Sequence, residues 1–246
     1  EITKDAPMSS LKGKGFYISK SVGKAIMDYK MLSDGDRIAV AVSGGKDSMT
    51  LLRILTDRMK FVPIKYEVIA IHVDLGYPKP SSLKVKQYLE NTGVKYHIER
   101  LNLLKNTKKK DINCFWCSWN RRKAIFEASH RLKCTKIAFG HHKDDIAETI
   151  LLNLFFQGEI SAMSPKQELF KGKITIIRPL AYVEERMIKS FAREENIPHD
   201  RCACPRSSLS NRRRMSRIIG ELEKVCPEVK TNIFRSVKRI KKEYLL

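Results

Sequence analysis

Three short stretches of this 246-residue sequence carry residues suited to chemistry. The first is SGGKDS, residues 43–48, set between the apolar run IAVAV and the helical pattern MTLLRIL. Two glycines let a backbone turn with its N–H groups exposed, and a helix that follows presents unpaired N–H groups and the positive end of its dipole. Such a loop suits phosphate; the plainer reading is a strand-to-helix turn with Ser48 as the helix N-cap. The second stretch, GHHKDD at 140–145, again follows an apolar run, KIAF, and opens a helical one. Its carboxylates also suit a helix start, where the dipole favours negative charge.

The third stretch is NCFWCSWNRR, residues 113–122, with Cys114 and Cys117 in C-x-x-C spacing. A redox dithiol needs only these two residues and a helix N-terminus to lower a thiol pKa. A structural zinc site wants four ligands, often from a second C-x-x-C within about 20 residues. The next cysteines, Cys202 and Cys204 in RCACPRSS, lie much further along, a distance that suits a site assembled by the fold. An iron–sulfur cluster with three thiolates and one open iron fits both counts, since the open iron can take a small nucleophile such as sulfide. Spacing leaves cluster, zinc and dithiol open. Cys134 and Cys226 sit in apolar helical surroundings and read as small core hydrophobes.

These residues need elements to hold them. Apolar, β-rich segments at 38–42, 66–73, 95–100, 136–140 and 173–180 alternate with helical patterns such as LLRILTDRMK, WNRRKAIFEASHRLK and DDIAETILLNLFF. Strand then helix, repeated, predicts an α/β fold: a parallel five-stranded sheet flanked by helices. Ligands in such folds bind beyond the C-terminal strand ends where the winding reverses, and SGGKDS falls at such an end. The pattern divides the chain into an N-terminal helical extension over 1–35, the α/β domain over 36–183 and a basic helical region over 184–246.

Forty-eight Lys and Arg against 27 Asp and Glu give a net charge of +21, more than a small-molecule enzyme needs for solubility and well suited to a polyanion. The excess is local: residues 201–246 hold thirteen Lys and Arg against four Glu, and KNTKKK at 105–110 is followed by Arg121, Arg122 and Lys123. No run approaches the roughly 18 apolar residues of a membrane span, and the first residues lack a signal-peptide layout. No membrane partner is expected, and the expected location is the cytoplasm. There, six cysteines point to metal or redox chemistry rather than a disulfide framework.

SGGKDS lacks the spacing of a Walker A loop. It resembles the PP-loop of the N-type ATP pyrophosphatases, which cleave ATP between its α and β phosphates. Over residues 15–240 the chain resembles the tRNA thiolation enzymes of the TtcA/TtuA group, more closely the two-thiocytidine (TtcA) branch. VSGGKDS, CFWCSWNRR, AFGHHKDDIAETILLN, MSPK and IRPLAYV carry the likeness. The resemblance implies an adenine nucleotide alpha hydrolase-like fold in which Ser43, Gly44, Gly45, Lys46, Asp47 and Ser48 surround pyrophosphate. Lys46 would neutralise charge and Asp47 would lie near Mg²⁺. Gly140 and the strand end IHVD would complete the ATP site, with the Val73 backbone toward the base; His72 reads equally as a buried core histidine. Lys143 and Asp144 are the expected α-phosphate, metal or acid/base residues.

The likeness further implies a 4Fe-4S cluster on Cys114, Cys117 and a third cysteine, Cys204 or alternatively Cys202. Cys204 is preferred because relatives show Cys followed by Pro there. This chain has C-A-C-P where the branch often carries C-x-x-C, and the zinc-binding ends of the thiouridine-forming branch have no counterpart in it. The implied reaction adenylates the C2 oxygen of a pyrimidine in tRNA, most closely an anticodon-loop cytidine, and replaces it with sulfur; thiouridine formation is the neighbouring possibility. Lys108, Lys109, Lys110, Arg121, Arg122, Arg212, Arg213 and Arg214 are the expected tRNA contacts, and Phe115, Trp116 and Trp119 are candidates for stacking on a base. A sulfur donor, sulfide or a cysteine desulfurase system, is required, and a homodimer is compatible. Two other readings are lysidine synthesis, which needs no cysteines, and a metal-stabilised RNA-binding module with a vestigial ATP site.

Overall fold

The computed structural model describes residues 10–76, 81–101, 114–198 and 211–244. Lys108, Lys109, Lys110, Cys202 and Cys204 lie outside the described residues.

A six-stranded sheet forms the centre, in the order β3-β2-β1-β4-β6-β5. Strands β1 (Asp36–Val42), β2 (Tyr66–Asp74), β3 (Lys95–Arg100), β4 (Lys136–Ala138) and β6 (Ile174–Ile177) run parallel and are the five expected. A sixth, β5 (Lys166–Leu169), was not expected; it pairs antiparallel with β6 at the edge. Its sequence, KQEL, is polar and only half covered, so it lacks the apolar signature of the inner strands.

Burial on both faces follows from the alternation along β1. Ile38, Val40 and Val42 join one core with α1 (Gly13–Asp28), α2 (Lys46–Arg58) and α6 (Glu185–Glu194), whereas Ala39 and Ala41 join a second core with Ala124, Ile125 and Ala128 of α4 (Cys114–Arg131). α3 (Ser81–Thr92) adds Val85 and Leu89 to the first core. α1 packs closely on α6: a Cβ on Gly15 would come 2.7 Å from Cε2 of the buried Phe191. α5 (Lys143–Gln157) ends at Gly158, whose φ of 67° is the left-handed conformation common just past a helix C-terminus. Its buried Ala147, Ile146 and Ile150 meet Ile219 of α7 (Asn211–Val225) and Val229 and Ile233 of α8 (Val229–Ser236).

β1 is followed in space by β2 and β3 on one side and by β4 on the other, so the winding reverses between β1 and β4. Two loops leave the C-terminal ends of these neighbours, SGGKDS and GHHKDD. At Gly140 a Cβ would stand 2.9 Å from the Asp47 carbonyl carbon and the Ser48 nitrogen. Those are backbone atoms, so no rotamer change can relieve the contact. We expect Gly140→Ala to cost about 1–3 kcal/mol, as overpacking does, read as a lower denaturant midpoint. Gly220, on α7 with nothing within 4 Å of its added Cβ, is the control: Gly220→Ala should raise stability by roughly 0.5–1 kcal/mol.

Candidate active site

The loop after β1 is built by its own serines. Ser48 Oγ accepts from Ser43 N at 3.1 Å and donates to Gly45 O at 3.0 Å, while Ser43 Oγ accepts from Gly45 N at 3.3 Å. Gly44 has φ 82°, a conformation glycine adopts without penalty. The N-cap of α2 is Gly45, not Ser48; Gly45 has no side chain to satisfy the first-turn amides, which stay available to an anion.

The second loop ends differently. His142 caps α5, its Nδ1 accepting from Asp145 N at 3.4 Å while Asp145 Oδ2 accepts from His142 N at 3.0 Å. This reciprocal box closes the α5 terminus with the chain's own groups. His142 Nε2 lies 3.4 Å from Asp145 Oδ2 and 3.8 Å from Asp47 Oδ1. Of the two helix starts at the reversal of the sheet, only that of α2 is left for a ligand.

Between these loops and α4 lies a cleft of about 320 Å³. Ser43, Asp47, Ser48, Val73 and Gly140, all expected site residues, line it together with His141 and Asp145. Its other wall is Ser118, Arg121, Arg122 and Ile125 of α4, spaced as one face of a helix. Cys114 is the first residue of α4, and Cys117 stands four residues, about one turn, before Arg121. Cys117 is half-buried. Among the described residues no three His, Cys, Asp or Glu side chains are grouped to hold a metal.

Ion pairs organise the cleft's edge. Lys46 Nζ lies 3.0 Å from Asp47 Oδ1 and 2.9 Å from Glu185 Oε1 at the start of α6. Burial works to lower the Lys46 pKa, but the two carboxylates outweigh it and the pKa rises. Glu185 is also 2.8 Å from Lys189; burial works to raise its pKa, yet the hydrogen bonds from Lys189 and Lys46 bring it down to about 2. Asp47 Oδ1 is buried without a well-directed hydrogen bond despite its nearness to Lys46, leaving it a lone pair for a cation. Burial also pushes the His141 pKa down to about 4, and its Nδ1 is likewise buried without a hydrogen-bond partner.

Several expected residues are engaged elsewhere. Lys143 Nζ meets Glu184 at 3.2 Å and Thr231 at 3.3 Å. Asp144 accepts from Glu185 N at 2.8 Å and pairs with Lys230 of α8 at 2.9 Å, joining α5, α6 and α8. Asp145, its neighbour, is the carboxylate that reaches the cleft. His72 is the buried core histidine, its Nδ1 2.8 Å from Val42 O and its pKa lowered by burial. Arg212 crosses from α7 to Glu148 (3.2 Å) and Asp145 (3.8 Å). Arg213, Arg214, Arg121 and Arg122 are exposed, and of these Arg121 and Arg122 line the cleft. Phe115 and Trp119 are exposed on α4, one turn apart, while Trp116 is half-buried. His141, Asp145 and Glu185 are the additions that packing reveals, and Arg212, an expected tRNA contact, is instead paired with carboxylates.

Residues 18–219 match the family model described as the PP-loop domain. The chain is 42% identical over 235 residues, 93% of its length and 91% of the relative's, to a tRNA-cytidine(32) 2-sulfurtransferase of Geobacter sulfurreducens. It is 40% identical over 93% of both chains to the enzyme of that name from Geotalea uraniireducens. Among solved structures, the U34-tRNA thiolase NcsA of Methanococcus maripaludis, determined with its 4Fe-4S cluster, superposes with a TM-score of 0.75 at 26% identity, covering 95% of this chain and 81% of that one. With the loop SGGKDS at the reversal of the sheet and the C-x-x-C helix as the wall of the same cleft, the chain belongs to the PP-loop family, among the tRNA-cytidine(32) 2-sulfurtransferases.

Proposed function

We propose that this protein uses ATP to replace the C2 oxygen of a tRNA cytidine with sulfur, in the cytoplasm. The observation that carries this reading is the shared cleft: open α2 amides on one side and the helix bearing Cys114 and Cys117 on the other. One reacting base placed there meets both the activating phosphate and the sulfur-handling thiols, and such proximity replaces a bimolecular encounter.

The roles follow from position. Ser43, Gly44, Gly45, Lys46 and Ser48 bind the pyrophosphate moiety, through amides of the loop and the first turn of α2 and through the Lys46 ammonium. The Val73 backbone and Gly140 border the rest of the nucleotide. Asp47 and Asp145 are the carboxylates assigned to Mg²⁺, a reading supported by their lining the cleft. Arg121 and Arg122 face the cleft where negative charge builds as AMP becomes the leaving group on the base. The residues of α4 fit a cluster as far as they are described: two cysteines three positions apart in the first turn of the helix are the residue type that holds such a cluster. Cys114, Cys117 and Cys204 would hold a 4Fe-4S cluster, which when bound supplies an iron position for a small sulfur nucleophile. The donor of that sulfur is sulfide or a cysteine desulfurase system.

Residues 36–183 act as the ATP-cleaving unit in this scheme, with 1–35 as its helical extension and 184–246 as the basic tRNA-binding region. Exposed Arg213 and Arg214, with Arg121, Arg122 and the lysines at 108–110, position the tRNA through phosphate contacts that carry no sequence information. Exposed Phe115 and Trp119 offer stacking surface to an unstacked base.

Three results test the scheme. Anaerobically purified protein should contain iron and sulfide, and tRNA from cells lacking it should lose 2-thiocytidine; unchanged thiolated nucleosides would end the proposal, and zinc without pyrophosphate release would favour an RNA-binding module. Cys117→Ser should bring thiolated product to background while ATP binding stays unchanged. Asp145→Asn keeps a side chain able to cap α5 but removes the charge; tRNA-dependent pyrophosphate release should fall on the order of 100-fold with tRNA affinity retained.

A further inference from the structure

The loop lysine has two carboxylate partners, and one of them does not belong to the loop. Glu185 opens α6, more than a hundred residues along the chain, yet its Oε1 sits 2.9 Å from Lys46 Nζ. The contact is held from behind. Asp144 Oδ2 accepts the Glu185 backbone N–H at 2.8 Å, and Lys230 of α8 fixes Asp144 through its other oxygen at 2.9 Å. Lys189, one turn along α6, meets the second Glu185 oxygen at 2.8 Å. The carboxylate is thus shared between Lys46 and Lys189 on a first turn that cannot drift.

We propose that Glu185 is a positioning residue that competes with nucleotide phosphates for Lys46. The proposal rests on the reading that Lys46 meets ATP. A phosphate arriving at the loop must take the ammonium from Glu185, and departing pyrophosphate gives it back. An interaction lost equally for substrate and product weakens both, so its benefit lies in release rather than in the chemical step. Lys189 sets the strength of the competition, because it draws on the same carboxylate.

Two substitutions with opposite expected signs test this in the full-length protein, read by equilibrium binding of Mg-ATP and of pyrophosphate without tRNA. Glu185→Gln should tighten both ligands by about two- to fivefold, the range of a partly exposed ion pair, and slow pyrophosphate release by a similar factor. Lys189→Met frees Glu185 for Lys46 and should weaken both ligands by roughly twofold. A thermal midpoint for each variant separates folding loss from binding. If Glu185→Gln leaves affinity unchanged or weakens it, or if Lys189→Met tightens it, Glu185 is structural and the proposal fails. If the unmodified protein binds no Mg-ATP, it is the reading of the loop that fails.

Discussion

Between β1 and β4 the loops leaving two adjacent parallel strands come so close that residue 140 has no room for a Cβ. That approach is where the sheet reverses its winding, and it gathers the loop 43–48, the start of α5 and, across the cleft, the first turns of α4. Any element that shifted one loop would shift the other. The two cores on either face of β1 hold the strand ends still: the fully buried Met49, Leu51 and Leu52 anchor α2, and Ala124 and Ala128 let α4 lie close to the sheet. The chemistry therefore depends on backbone packing before it depends on any charged side chain.

Charge is arranged in two zones. Outside, on α4 and α7, arginines are exposed, as a surface suited to a polyanion requires. Inside, at the edge of the cleft, cations and carboxylates come paired: Lys46 with Asp47 and Glu185, Lys230 with Asp144 and Glu223, Arg212 with Asp145 and Glu148. A half-buried charge left alone would be costly, so each pair holds both members in place until a ligand replaces one. Two of these pairs reach α7 and α8. Arg212 ties α7 to Asp145, which lines the cleft, and Lys230 ties α8 to Asp144 beside it.

The five parallel strands were legible because each is a short apolar run between helical patterns. β5 was not, because an edge strand of four residues needs no apolar pattern. The helix start of α4 lies earlier than its amphipathic pattern suggests, which places the C-x-x-C on the helix itself. SGGKDS was readable because its logic is local: glycines, serines and a helix start. The choice between Asp144 and Asp145 was not local. One residue turns a helical position by about 100°, and which carboxylate faces the cleft depends on α6 and α8 packing against Asp144. Glu185 gave no signal in sequence for the same reason.

The position of α4 also bears on why phosphate and sulfur chemistry share one cleft. Its residues at 114, 118 and 122 and at 117, 121 and 125 are spaced by one helical turn, so the backbone positions of the cysteines and the arginines are fixed relative to each other by helix geometry. Two guanidinium groups on the second and third turns are groups that suit phosphate oxygens. A loop would supply the same residues with less constraint. In the proposed scheme, placing both on one rigid helix, packed through Ile125 and Ala128 against the sheet, would make the distance between the leaving group and the incoming sulfur a property of the fold.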